Sequence, residues 1–132
     1  MYGEGQNSRY AGVITKFAER LSKGLPPIIY GDGKQTRDFV SVNDVVDAIM
    51  LAMQSDVSDT FNVGTGRTIT INELALNMTE IFEIDLKPEY QKASQGEIIQ
   101  SCASTIRSKD VLKFVATREL IKWFKIIYAS YQ

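Results

Sequence analysis

The stretch Gly31-Asp32-Gly33-Lys34-Gln35-Thr36-Arg37-Asp38 carries residue types suited to holding an anion. Two glycines let the backbone approach a ligand closely. The planar guanidinium of Arg37 matches two phosphate oxygens at once, as in a pyrophosphate clamp. By pattern alone the same octapeptide reads more simply as a hairpin-like turn in which a solvated Arg37 pairs with Asp38. A second glycine pair, in Gly64-Thr65-Gly66, superficially resembles a phosphate-binding turn. A dinucleotide fingerprint needs a third glycine and a later acidic residue within a strand-helix-strand unit. Neither follows, so this triplet reads as a tight strand-to-helix turn.

Other chemistry is narrowed by composition. The sequence contains no histidine, which removes His general bases, Ser-His and Cys-His pairs and most zinc sites. Asp44, Asp47, Glu73 and Glu80 fall at capping or exposed helix positions, and no spacing singles out a catalytic carboxylate pair. Cys102 is the single cysteine, so no internal disulfide forms, and it reads as a small, part-buried residue. Asn77-Met78-Thr79 matches a glycosylation acceptor but falls within a helix pattern. With a net charge of −1 and dispersed Lys and Arg, there is no basic excess for a nucleic-acid partner. No apolar run approaches the roughly 20 residues of a membrane span. Met1 to Asn7 lacks the basic start and apolar stretch of a signal peptide, so a cytoplasmic location is expected.

The elements that would position these residues alternate between helix and strand patterns, which implies a single α/β domain over residues 1–132. Ile14, Phe17, Ala18 and Leu21 predict a helix over Gly12 to Lys23, closed by Gly24 and Pro26-Pro27. Ile28-Ile29-Tyr30 predicts a strand ending in the Gly31 to Gly33 turn. Asp38 to Val42 is a candidate second strand. Ser41 then caps a helix whose buried stripe would be Val45, Val46, Ile49, Met50 and Met53. Thr60 to Val63 reads as a strand. Thr70 and Glu73 form a capping box before Leu74, Ala75, Met78, Ile81 and Phe82. Leu86 to Tyr90 reads as a short strand and Gln91 to Gly96 as a polar loop. Helices are expected near Ile106 to Lys113 and from Thr117, the latter with Leu120, Ile121, Phe124, Ile127 and Tyr128 on one face.

Taken together, these stretches resemble the extended short-chain dehydrogenase/reductases of the NAD-dependent epimerase/dehydratase family, the UDP-glucose 4-epimerase type. Tyr2-Gly3-Glu4-Gly5-Gln6-Asn7 is similar to the family's Tyr-Gly-Pro-x-Gln-Asn segment. Pro27 to Gly33, Gln35 to Val40, Val42-x-Asp44-Val45-Val46, and Phe61 to Gly66 leading to Thr70 to Ala75 follow the family in order and spacing. The resemblance implies a fold: the substrate-binding C-terminal part of an extended dehydrogenase/reductase, a small mixed sheet with packed helices. It also implies an isomerase or dehydratase chemistry on nucleotide sugars with bound NAD. On that resemblance Arg37 contacts the nucleotide pyrophosphate. Pro27, Ile28, Ile29 and Tyr30 border the base pocket, and the loop after Tyr90 closes over the nucleotide.

The departures from the family shape the expectation. The chain opens at a segment that in the family lies downstream of the Gly-rich NAD turn and the catalytic Tyr-x-x-x-Lys. The one Tyr-x-x-x-Lys spacing, Tyr30 to Lys34, falls in the glycine turn and not at the family's catalytic position, which lies upstream of its Tyr-Gly-Pro segment. In the closing loop the family's Arg-Pro-Gly-Asp is Ser94-Gln95-Gly96-Glu97. Ser94 therefore carries no second phosphate clamp, and Glu97 keeps only an acceptor. Glu4 replaces a proline and places a negative charge near the site. The expectation is a truncated epimerase-like chain without the N-terminal Rossmann domain, binding no NAD by itself, inactive alone and holding a UDP-sugar weakly. The alternatives are a non-catalytic binding or interaction module, and half of a split enzyme with a separately encoded N-terminal half. An unpaired edge at Phe61-Asn62-Val63 predicts a homo-oligomer.

Overall fold

A computed structural model describes residues 1–6 and 12–132. Asn7, which ends the opening motif, and Tyr10 lie outside the described residues. Helix α1, Val13–Ser22, buries Ile14, Phe17, Ala18 and Leu21, the face that their spacing predicts. It ends where Lys23 and Gly24 turn the chain toward Pro26-Pro27, and the Arg20 side chain donates to the Pro26 carbonyl at 2.6 Å. Strand β1, Ile28–Tyr30, and strand β2, Thr36–Arg37, follow on either side of the glycine turn. Helix α2, Val42–Met53, starts at Ser41, whose hydroxyl accepts from the Asn43 amide. Strand β3, Ile69–Thr70, runs directly into helix α3, Ile71–Ile81. Thr70 and Glu73 make the reciprocal capping box there. Strand β4, Glu89–Gln91, and helices α4, Ile106–Leu112, and α5, Leu120–Ser130, complete the chain.

The strands form two separate ladders. Strands β1 and β4 pair in parallel, with Ile29 opposite Tyr90. Strands β2 and β3 pair antiparallel, with Arg37 opposite Ile69. Helices α1, α3 and α5 pack on one another around Phe17, Leu21, Ile29, Leu74, Met78 and Phe124. Each such side chain contributes about 1.5–3 kcal/mol on burial. Trp123 leans on this core with its ring 6.2 Å from that of Tyr2, and Tyr131 lies 6.3 Å from Phe82. A smaller cluster of Ala48, Leu112 and Phe114 joins α2 to α4, with Leu51, Phe61, Val63 and Ala116 around it.

Several local expectations are corrected. On α2 the buried positions are Asp44 and Ala48, while Val46, Ile49, Met50 and Met53 are all about half or more exposed. The apolar stripe is present, but nothing among the described residues packs on it. Thr60 to Val63 forms no strand, because a ladder requires a neighbouring strand and none of the described strands lies beside it. The expected strand at Asp38 to Val42 is displaced to Thr36–Arg37. Beyond it, Tyr2 bridges Ser41, its amide donating to the Val40 carbonyl and its carbonyl accepting from the Val42 amide. The last strand begins at Glu89 rather than Leu86, and α5 begins at Leu120 rather than Thr117, whose amide is bound to Asp44. Cys102 is exposed rather than part-buried.

Candidate nucleotide-sugar site

The candidate site forms where β1 ends. Gly31 and Gly33 both have positive φ, +88° and +73°, a region costly for residues with a Cβ. At Gly33 a Cβ would also collide with the side chain of Asn72. That asparagine clamps the turn from the start of α3: its amide nitrogen Nδ2 donates to the Asp32 carbonyl at 3.0 Å, and its backbone N–H donates to the Gly33 carbonyl. The Tyr90 hydroxyl of β4 in turn donates to Asn72 Oδ1 at 2.8 Å. The turn is thus fixed from two elements by hydrogen bonds.

Three polar side chains converge beside it. Gln35 is buried, and its Nε2 donates to the Tyr30 carbonyl at 3.0 Å and to Glu97 Oε1 at 3.2 Å. Arg37 Nη2 lies 3.6 Å from the same Glu97 oxygen, and Arg37 Nη1 donates to the Thr36 carbonyl at 2.7 Å. The strand that carries Arg37 is held by β3 on one side and by the 99–101 segment on the other, where the Thr36 N–H donates to the Ile99 carbonyl. Arg37 therefore pairs with Glu97 and not with Asp38. Of the other expected residues, Pro27 and Ile29 turn into the core, whereas Ile28 is half-buried and Tyr30 exposed. Only the latter two are available to a ligand. Ser94 stands exposed in the loop after β4.

The Gly64–Gly66 turn is engaged by the chain itself. Asp38 accepts from the Thr65 amide at 3.1 Å, the Thr65 hydroxyl at 2.6 Å and the Gly66 amide at 2.9 Å. A carboxylate stands where a phosphate-binding turn would place its anion. The donors of this turn are thus taken up within the chain, and the turn offers no seat to the pyrophosphate of NAD. No group of three or more metal-ligating side chains occurs among the described residues. No helix among them is long and apolar enough to cross a membrane.

Asp44 belongs to a separate, structural arrangement, and it is buried rather than capping or exposed. It accepts from the Thr117 and Arg118 amides and, at 2.7 Å, from Arg118 Nη1. Asp47 also contacts Arg118. Burial pushes the Asp44 pKa up, but the Arg118 side chain and the two backbone donors outweigh it, and the net shift is downward. Beside it the buried Tyr2 phenol is raised, first by burial and then by the Asp44 charge. Glu73 is lowered by the Thr70 backbone and side-chain bonds that make the capping box.

Gln35, Asn72 and Tyr90 position the site yet carry no role in the sequence reading. Gln35 stands inside the glycine motif, but its side-chain partner Glu97 is remote in sequence. Asn72 and Tyr90 lie 40 or more residues from the turn along the chain, and only the fold brings them to it.

Comparison with known proteins agrees with this architecture. Residues 1–64 match the model of the NAD dependent epimerase/dehydratase family. A putative UDP-glucose 4-epimerase of Methanocaldococcus jannaschii is 41% identical over 101 residues, covering 74% of this chain and 32% of its own length. The structure of Thermotoga maritima UDP-glucose 4-epimerase with UDP-glucose superposes with a TM-score of 0.89 at 35% identity, over 98% of this chain and 42% of that one. The structure of MoeE5 with UDP-glucose and NAD gives a TM-score of 0.83 at 31% identity, over 98% of this chain and 44% of that one. The chain belongs to the NAD-dependent epimerase/dehydratase family, the extended short-chain dehydrogenase/reductases. It spans about a third of the curated relative and less than half of each solved structure.

Proposed function

We propose that this chain is a UDP-glucose 4-epimerase-like unit that holds a UDP-sugar through Arg37 and is catalytically silent by itself. The observation that carries the reading is the convergence of Arg37, Gln35 and Glu97 beside a turn whose two glycines are locked open. The relative solved with UDP-glucose has the same fold over nearly all of this chain, which favours the same ligand class. A charge-assisted hydrogen bond from Arg37 contributes about 1.5–3 kcal/mol. Ser94 offers no second cation, and Glu97 adds negative charge. Affinity is therefore on the order of millimolar. Ile28 and Tyr30 supply the apolar border, and Glu97 an acceptor. Hydride transfer needs NAD held against the sugar. With the Gly64–Gly66 donors bound to Asp38, and the one Tyr-x-x-x-Lys spacing, Tyr30 to Lys34, set in the glycine turn rather than at the family's catalytic position, the chain binds without turning over.

One series of measurements tests this. Calorimetry with UDP-glucose should give millimolar binding for the native chain and none for Arg37→Ala, and an NAD-coupled epimerase assay should give no turnover. Micromolar affinity, affinity unaffected by Arg37→Ala, or NAD-dependent turnover would each show the reading to be wrong.

A further inference from the structure

Whatever acceptor Glu97 offers to the rest of a ligand, toward its diphosphate this carboxylate is placed as a competitor for Arg37 and Gln35. Its Oε1 takes a hydrogen bond from buried Gln35 and faces the free edge of the Arg37 guanidinium, whose other terminal nitrogen is committed to the Thr36 carbonyl. The two donors that a phosphate would use are thus both turned to one carboxylate oxygen. The loop that delivers Glu97 is anchored at each end. Upstream, β4 pairs with β1, and the Gly31 amide donates to the Gln91 carbonyl at 2.8 Å. Downstream, Thr36 exchanges backbone bonds with Ile99 and Ser101. Between these anchors residues 92–97 are exposed, held only where Ala93 lies against Gly31 and where the Glu97 carboxylate meets Gln35 and Arg37. The tip can therefore swing while its ends stay fixed. A carboxylate and a phosphate oxygen seek the same donors, so the seat can hold one or the other but not both.

Building on the proposed Arg37 site, we propose that Glu97 is an autoinhibitory side chain that occupies the anion seat of Arg37 and Gln35 and must leave before a diphosphate enters. The exchange is one of position alone: no covalent bond forms or breaks, and the loop opens as the ligand binds. Neutralising Glu97 frees Arg37 and removes a repelling charge. A half-exposed ion pair of this kind is worth little by itself, so the gain is modest, roughly three- to tenfold in affinity.

The test uses inorganic pyrophosphate and UDP-glucose titrated into the native chain, Glu97→Gln, Arg37→Ala and the control Asp32→Asn. Asp32 lies in the same glycine turn and its carboxylate accepts only from the Lys34 amide, so its substitution removes a nearby charge without touching the seat. Circular dichroism checks that each variant is folded, and Glu97→Ala serves as a second variant if Glu97→Gln is not. The expected result is tighter binding of both ligands by Glu97→Gln, little change in Asp32→Asn, and loss in Arg37→Ala. Binding by Glu97→Gln where the native chain shows none supports the proposal as well. Weaker or unchanged binding by Glu97→Gln, with loss in Arg37→Ala, overturns it and leaves the Arg37 site standing. An equal gain in Asp32→Asn also overturns it, since the effect is then one of overall charge. Binding indifferent to Arg37→Ala, or none in any variant, overturns the Arg37 site itself.

Discussion

Asp38 and Asp44 lie six residues apart and both carboxylates face inward, yet neither does chemistry. Asp38 closes the Gly64–Gly66 turn, and Asp44 ties α2 to the start of α5 through two backbone amides and Arg118. Asp44 is 1% exposed, and removing it leaves the Thr117 and Arg118 amides and one face of the Arg118 guanidinium without their acceptor. Asp44→Ala should destabilise the fold by about 2–3 kcal/mol, measured by urea unfolding at neutral pH. Because its folded pKa is lowered, the stabilisation is complete above the ordinary carboxylate value near 4 and is lost as pH falls through the folded value. The gap between native and Asp44→Asn unfolding midpoints should therefore narrow as pH drops from about 5 to below 3. A gap that is constant over that range would assign the role to packing rather than charge. At this scale the sequence exposes residue types but not their partners. Gly31, Gly33 and Arg37 are legible because a turn and a cation announce themselves locally. That Arg37 meets Glu97, and Asp38 meets Thr65, is decided by loops 60 and 27 residues away.

Helices α1 and α3 follow their sequence patterns closely, since apolar spacing and a capping box are local signals. Strands do not, because a strand exists only with its neighbour: Thr60 to Val63 has the composition but no ladder partner. Helix α2 shows the same limit. Periodicity identifies its apolar stripe at Val46, Ile49, Met50 and Met53 but cannot say what covers it. The backbone groups of Phe61, Asn62 and Val63 make no hydrogen bond among the described residues, and Phe61 and Val63 flank the same small cluster as α2. We propose that a second copy of the chain covers both features. Antiparallel pairing of the 61–63 segments about a two-fold axis would satisfy those groups and bring the two stripes together, and a net charge of −1 offers little repulsion. Light scattering at micromolar concentration should show a dimer or larger species, and Ile49→Glu with Met53→Glu should shift it to monomer. A native chain that stays monomeric would sink the idea.

The molecule as a whole has an uneven interior. Twelve buried residues form the α1–α3–α5 core, whereas Ala48, Leu112 and Phe114 alone form the buried part of the α2–α4 cluster. The two are linked by Asp44, which sits on α2 and grips the first residues leading to α5. Local opening costs least where few apolar contacts must be broken. The chain should therefore not open as one block. Amide hydrogens of α2 and α4 should exchange at markedly lower protection than those of α3, and the difference should widen in Asp44→Ala. Uniform protection across the three helices would show a single cooperative unit. The division also predicts that α2 loosens first from the rest while the proposed anion seat, held by β1, β2 and α3, keeps its shape.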